Sequence, residues 1–222
     1  MDSQLEIKIE SCLNELIERH PRLLSCKDSI YQAYEILKNS YINGGKLLVA
    51  GNGGSAADSQ HIVGELMKSF KIRRPLNKDI ADKILAIDAE RGSMIVDVLE
   101  SPLSAISLVA HSALTTAYLN DVGARGIFAQ QVLGYGNYQD VFWGISTSGN
   151  SENIVDAAIV AKSKGLAVIS LTGISGGIIT KYSDVCIKVP EKETFKVQEL
   201  HLPIYHCLCL MLELYFFGYE LI

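Results

Sequence analysis

The chain has 222 residues, 48% of them hydrophobic and 20% charged, which suits one large folded domain with a sizeable core. A formal net charge of −5 with no basic run argues against a broad nucleic-acid-binding face. Five cysteines (Cys12, Cys26, Cys186, Cys207 and Cys209) form no CxxC pair and read as free thiols in a reducing cytoplasm.

In chain order, residues 4–40 predict helices. Leu5, Ile9, Cys12, Leu13 and Ile17 recur at helical spacing until His20-Pro21 interrupts them. A second helix over 25–39 turns Ile30, Ala33 and Leu37 to one side and closes at Asn43-Gly44-Gly45. The apolar faces of this pair could cover a sheet or a neighbouring subunit. The N-terminus, MDSQLEIKIE, holds no apolar signal core.

The most informative stretch is 46–70, KLLVAGNGGSAADSQHIVGELMKSF. Leu47 to Ala50 reads as a buried strand and Gly51-Asn52-Gly53-Gly54-Ser55 as a tight turn. A helix over 56–70 follows, capped by Ser55 with Asp58 in a capping-box position, and with Ile62, Leu66 and Phe70 on one face. The turn and the positive end of the helix together form an anion site suited to a phosphate. The sequence is neither GxxxxGK[ST] nor GxGxxG, so the common nucleotide fingerprints do not apply, and a plain structural corner is the rival reading. His61 and Glu65 lie one turn apart on this helix. They form either a surface pair or part of a metal or acid/base site.

Residues 71–75 are basic and polar. The segment 77–100 has helical periodicity through Ile80, Ile84, Leu85 and Ile87, then Ile95, Val96, Val98 and Leu99. Strands are predicted at 105–109, 140–145, 166–171 and 185–189, and helices from 112, at 127–133, 152–164 and 178–182, and from about 195. The apolar stretch 207–217 carries Glu213 and is too short to span a bilayer. Strands alternating with helices predict an α/β fold with a five-stranded parallel sheet between helical layers. Ligands in such sheets bind beyond the carboxyl ends of the strands.

Two further segments fall at that end. GISTSGNS, residues 144–151, places Ser146, Thr147, Ser148 and Ser151 between a strand and a helix, as a second phosphate cradle or as an ordinary serine-rich loop. QELHLPIYH, residues 198–206, opens the last helix with amides and imidazoles that are either satisfied core groups or ligands for zinc or a similar divalent ion together with His61 and Glu65. Gln198 and His206 stand about 12 Å apart along a regular helix, so both reach one ion only if their side chains converge or facing subunits contribute.

These motifs (GNGGSAADSQHIVGEL, Asn120-Asp121, GISTSGNS, LTG and QELHLPIYH) occur in the order found in the phosphoheptose isomerase branch of the SIS, or sugar isomerase, family, and the chain resembles that branch over about residues 40–215. The resemblance implies a single SIS domain, a three-layer sandwich assembled as a homotetramer. It also implies isomerisation of sedoheptulose 7-phosphate to D-glycero-D-manno-heptose 7-phosphate. By motif, Asn52, Gly53, Gly54 and Ser55 would line the sugar-phosphate site, and Ser146, Thr147, Ser148 and Ser151 would hold the phosphate. Asn120 and Asp121 would contact the sugar chain. His61, Glu65, Gln198 and His206 match the positions of zinc ligands, one Zn2+ per subunit, and Glu65 and His206 match the base and the acid. Relative to the family, segment 76–103 is a longer, inserted helical connection, Ser69 stands where an arginine is common, and Phe195 where some members carry an aspartate. The rivals are an isomerase of another ketose phosphate and a non-catalytic module that senses phosphosugars or binds a protein.

Overall fold

Along each central strand the side chains alternate between two cores, and this alternation fixes the layering. In a computed structural model, which describes residues 3–218, the strands β1 (Leu47–Gly51), β2 (Ala105–Ser107), β3 (Val141–Ile145), β4 (Ala167–Thr172) and β5 (Val185–Lys188) form one parallel sheet in the order β2-β1-β3-β4-β5. Leu47 and Val49 of β1, Trp143 of β3 and Ile169 of β4 face one core, while Leu48, Phe142 and Val168 face the other. A strand covered on both sides reads as a continuous apolar run, which is why LLVAG and VFWGI carried no alternation.

The first face is covered by α1 (Ser3–Arg19), α2 (Lys27–Ile42), α3 (Gly54–Met67) and α9 (Thr194–Phe217). Of the N-terminal pair, α2 packs on the sheet at β3 and β5, in line with the first of the two open readings, while α1 packs on α9. The second face is covered by α7 (Ile127–Tyr135) and α8 (Glu152–Ser163), through Phe128, Val132, Ile154, Ala158 and Ala161. Short 3₁₀ turns at Pro21–Cys26 and Ile178–Tyr182 complete the connections. The five-stranded parallel sandwich is thus as expected.

One expectation needs correction and two gain detail. The helix after the glycine turn begins at Gly54 and ends at Met67, because Lys68 is already extended. Phe70 therefore lies outside it, although it still packs on the same core. The apolar periodicity of 77–100 resolves into two helices, α4 (Lys78–Ile87) and α5 (Ala89–Val98), separated at Asp88, whose side chain caps the second. These pack on each other and bury almost nothing else: Ile87 is 87% exposed and Val98 76%. Stretch 207–217, expected to be too short to span a bilayer, is the apolar second half of α9, a 24-residue helix long and apolar enough to cross a membrane by length and composition alone. Its apolar residues Val197, Ile204, Leu208, Met211 and Leu212 are instead buried in the core between α1, α2 and α3.

Candidate active site

The site is built on the first turn and one face of α3. Gly53 holds φ 56° and ψ −121°, a conformation that a Cβ would strain. A Cβ at Gly54 would lie 2.6 Å from the Gln198 amide nitrogen, so any larger residue there would displace that side-chain tip. The Gln198 amide is thereby seated over the start of α3. Gly53, not Ser55, occupies the cap position, and Ser55 is buried in the first turn. The capping-box reading of Asp58 is corrected accordingly: its carboxylate accepts from the Tyr205 hydroxyl at 3.3 Å.

One turn on, His61 and Glu65 meet α9. His61 Nε2 lies 3.2 Å from Glu65 Oε1 and 3.4 Å from His206 Nε2, so base and acid candidates from opposite ends of the chain touch the same atom. The other ring nitrogen, Nδ1, lies 3.0 Å from the Tyr205 hydroxyl. Burial, and then the neighbouring His61, hold His206 below the usual imidazole range. Burial, and then the Asp58 carboxylate, push the Tyr205 hydroxyl well above the usual phenol range. Glu65 Oε2 is buried without a hydrogen-bond partner, with Lys68 Nζ 3.8 Å away.

These contacts are pairwise, and among the described residues no group of three or more His, Cys, Asp and Glu side chains is arranged to hold a metal ion. Two donor separations, both from His61 Nε2, nevertheless lie near those of a tetrahedral site. Tetrahedral zinc with bonds of about 2.0–2.1 Å sets neighbouring donors about 3.3–3.4 Å apart. The donor set, two imidazoles and a carboxylate, is of zinc-binding type.

The second loop lies beside the first. Asn52 and Asn153 exchange two amide hydrogen bonds, each of 3.0 Å, which tie the glycine turn to the first turn of α8. Ser151 stands at the cap position of α8, but its hydroxyl pairs with Ser146 Oγ at 3.0 Å rather than capping the helix. Ser146 also accepts from Gly149 N, and Ser148 from Asn150 N, so the loop is held by its own hydroxyls. Ser148 is exposed and Thr147 half-buried. Asn120 and Asp121 lie at the end of α6 (Ser112–Asp121), exposed, with Asn120 donating to Asp121 at 2.9 Å. The structure therefore brings His61, Glu65 and His206 together and links the two loops. It seats Gln198 at Gly54 and leaves Asn120 and Asp121 on an exposed helix end.

Sequence reasoning missed four groups. Asn153, Tyr205, Arg74 and Glu213 all act through partners far along the chain, and although Tyr205 falls within QELHLPIYH and Glu213 within stretch 207–217, no local pattern marks their roles. Arg74 and Glu213 are each fully buried. Arg74 donates to Glu213 and to the carbonyls of Leu66 and Glu65, while Glu213 also accepts from the backbone N–H groups of Phe70, Lys71 and Ile72. The C-terminal end of α3, which carries Glu65, is thus locked to α9, which carries His206.

Comparison with known proteins agrees with this architecture. The SIS domain family model matches residues 14–96 and 89–173. The chain is 36% identical over 212 residues to a phosphoheptose isomerase of Aneurinibacillus thermoaerophilus, covering 90% of this chain and 94% of that one. It is 40% identical over 184 residues to phosphoheptose isomerase 2 of Campylobacter jejuni, covering 83% and 78%. The structure of a phosphoheptose isomerase from Francisella tularensis superposes with a TM-score of 0.72 at 33% identity, covering 96% of this chain and 98% of that one. On this sequence and structural similarity, the chain belongs to the SIS domain family, among the phosphoheptose isomerases.

Proposed function

We propose that the protein interconverts sedoheptulose 7-phosphate and D-glycero-D-manno-heptose 7-phosphate, with Glu65 as base and His206 as acid. Aldose–ketose exchange removes a proton beside a carbonyl and returns it to the adjacent carbon through an enediol. A carboxylate can carry that proton, while an imidazole exchanges one with the oxygens. The observation that carries the reading is the meeting of Glu65 and His206 at His61 Nε2 within one chain, on the helix that begins at the glycine turn. The names of the relatives supply the substrate.

The phosphate would rest on Ser146, Thr147, Ser148 and Ser151 and on the α3 N-terminus with Asn52, Gly53, Gly54 and Ser55, where backbone N–H groups and the helix dipole favour an anion. Asn120 and Asp121 would reach the sugar chain. His61, Glu65 and His206 would hold a zinc ion, with Gln198 as the fourth ligand suggested by the motif. Bound there, zinc would polarise the carbonyl and offset the negative charge of the enediolate. A homotetramer in the cytoplasm accompanies this reading. The assembly is supported by exposed apolar surface on α4, α5 and α6, including Ile80, Ile87, Met94, Val98 and Leu119. Light scattering should therefore give about four times the 24.3 kDa chain mass, and a monomer would overturn the assembly.

The activity is tested by offering purified protein a panel of five-, six- and seven-carbon ketose phosphates, with and without a chelator. Turnover of the heptulose phosphate, lost with chelator and restored by zinc, is expected. Turnover of a shorter sugar alone would overturn the substrate, and chelator-insensitive turnover would overturn the metal.

A further inference from the structure

The Tyr205 hydroxyl stands between two groups of α3, 3.3 Å from Asp58 Oδ1 and 3.0 Å from His61 Nδ1. It carries a single hydrogen. The Asp58 carboxylate can only accept, so it takes that hydrogen, and the hydroxyl oxygen is left to accept from His61. His61 then carries its own proton on Nδ1, which leaves Nε2, the atom that faces Glu65 and His206, bare. The opposite arrangement, Nε2–H toward Glu65 with Tyr205 donating to Nδ1, would leave Asp58 with no hydrogen-bond donor at either oxygen. We infer that Asp58 and Tyr205 are positioning residues that fix His61 as the Nδ1–H tautomer and aim its Nε2 lone pair into the site.

Packing supports the assignment. Tyr205 is 1% exposed, which fixes its hydroxyl in place, and its ring meets the more exposed His61 ring edge-on at 5.4 Å. Asp58 Oδ2 is buried without a hydrogen-bond partner, which leaves Oδ1 on Tyr205 as the side chain's hydrogen-bonding end. In this form the Nε2 lone pair and the Glu65 oxygen 3.2 Å away are both free to face a cation. Partners behind a ligating histidine commonly set its tautomer in this way, and their loss weakens metal binding about 10–100-fold.

The inference rests on His61 being a ligand, so its test separates the two ideas. Long-range 1H–15N spectra of the histidine rings in metal-free protein at pH 8 read the tautomer directly, with the His61 signals identified by their loss in His61→Gln. Wild type should show a protonated Nδ1 and a bare Nε2, and Tyr205→Phe should shift His61 toward the Nε2–H form while circular dichroism stays unchanged. Cobalt(II) titration should give a dissociation constant at least tenfold weaker in Tyr205→Phe and in Asp58→Asn. An Nε2–H tautomer in wild type, an unmoved tautomer in Tyr205→Phe, or cobalt affinity within threefold of wild type in both variants overturns the inference. Absence of cobalt binding to wild type would instead overturn the metal reading, and the spectra would still decide the tautomer.

Discussion

Glu65 has a mostly enclosed side chain, 12% exposed, with one carboxylate oxygen on His61 and the other buried without a hydrogen bond. A carboxylate so placed is poised to accept a proton or share a cation, which is what a base in an enediol reaction requires. Glutamine would keep its shape and remove its basicity. Glu65→Gln is therefore expected to lower turnover by about 10²–10⁴-fold. Binding of the sugar phosphate should stay within a few-fold, because the phosphate is assigned to the loops at 51–55 and 146–151. Turnover assays beside calorimetric titration separate the two effects, and wild-type turnover in the variant would remove Glu65 from the mechanism. At this scale, the sequence showed residue types and spacing but not partners. His61 and Glu65 were visible as a pair one turn apart. Asp58 was assigned to the nearest cap because its true partner, Tyr205, stands 147 residues away.

At the scale of elements, legibility followed range. The strand, glycine turn and helix around 47–67 were readable because apolar runs and glycines act locally. The apolar stripes of α4 and α5 were equally visible, but periodicity says only that a face seeks cover, not that its own chain supplies it. The joint between α3 and α9 was invisible, because Arg74 and Glu213 are 139 residues apart. It is also the joint on which the site depends. Glu213 accepts from three successive backbone N–H groups and from Arg74, and Arg74 closes the last carbonyls of α3. Removing one member of a buried pair strands the other charge, at a cost of about 3–5 kcal/mol. Glu213→Ala should lose about that much in urea unfolding at fixed protein concentration. A loss below about 1 kcal/mol would mean that the pair contributes little to holding the two helices together.

For the whole molecule, the central layer of α9 and the sheet sets a dependence of stability on pH. His201 lies on α9 and is fully buried, and neither ring nitrogen has a partner within hydrogen-bond geometry. Burial lowers its pKa from 6.5 to about 4, and the nearby Thr172 backbone pulls weakly the other way. Since no hydrogen bond forms, burial governs. As pH falls through 6.5 the unfolded chain takes up a proton at this position while the folded protein does not. Stability is therefore undiminished above 6.5, declines between 6.5 and about 4, and levels off below. At about 1.4 kcal/mol per pH unit, the full loss is about 3 kcal/mol, of which about 2 kcal/mol falls between pH 6.5 and 5. His201→Leu removes the titrating ring at similar volume, whatever it does to absolute stability. The stability difference between variant and wild type should thus shift by about 2 kcal/mol in the variant's favour from pH 7.5 to pH 5. Denaturant midpoints at the two pH values measure it. Parallel pH profiles would show that His201 is protonated in the folded core as readily as in the unfolded chain.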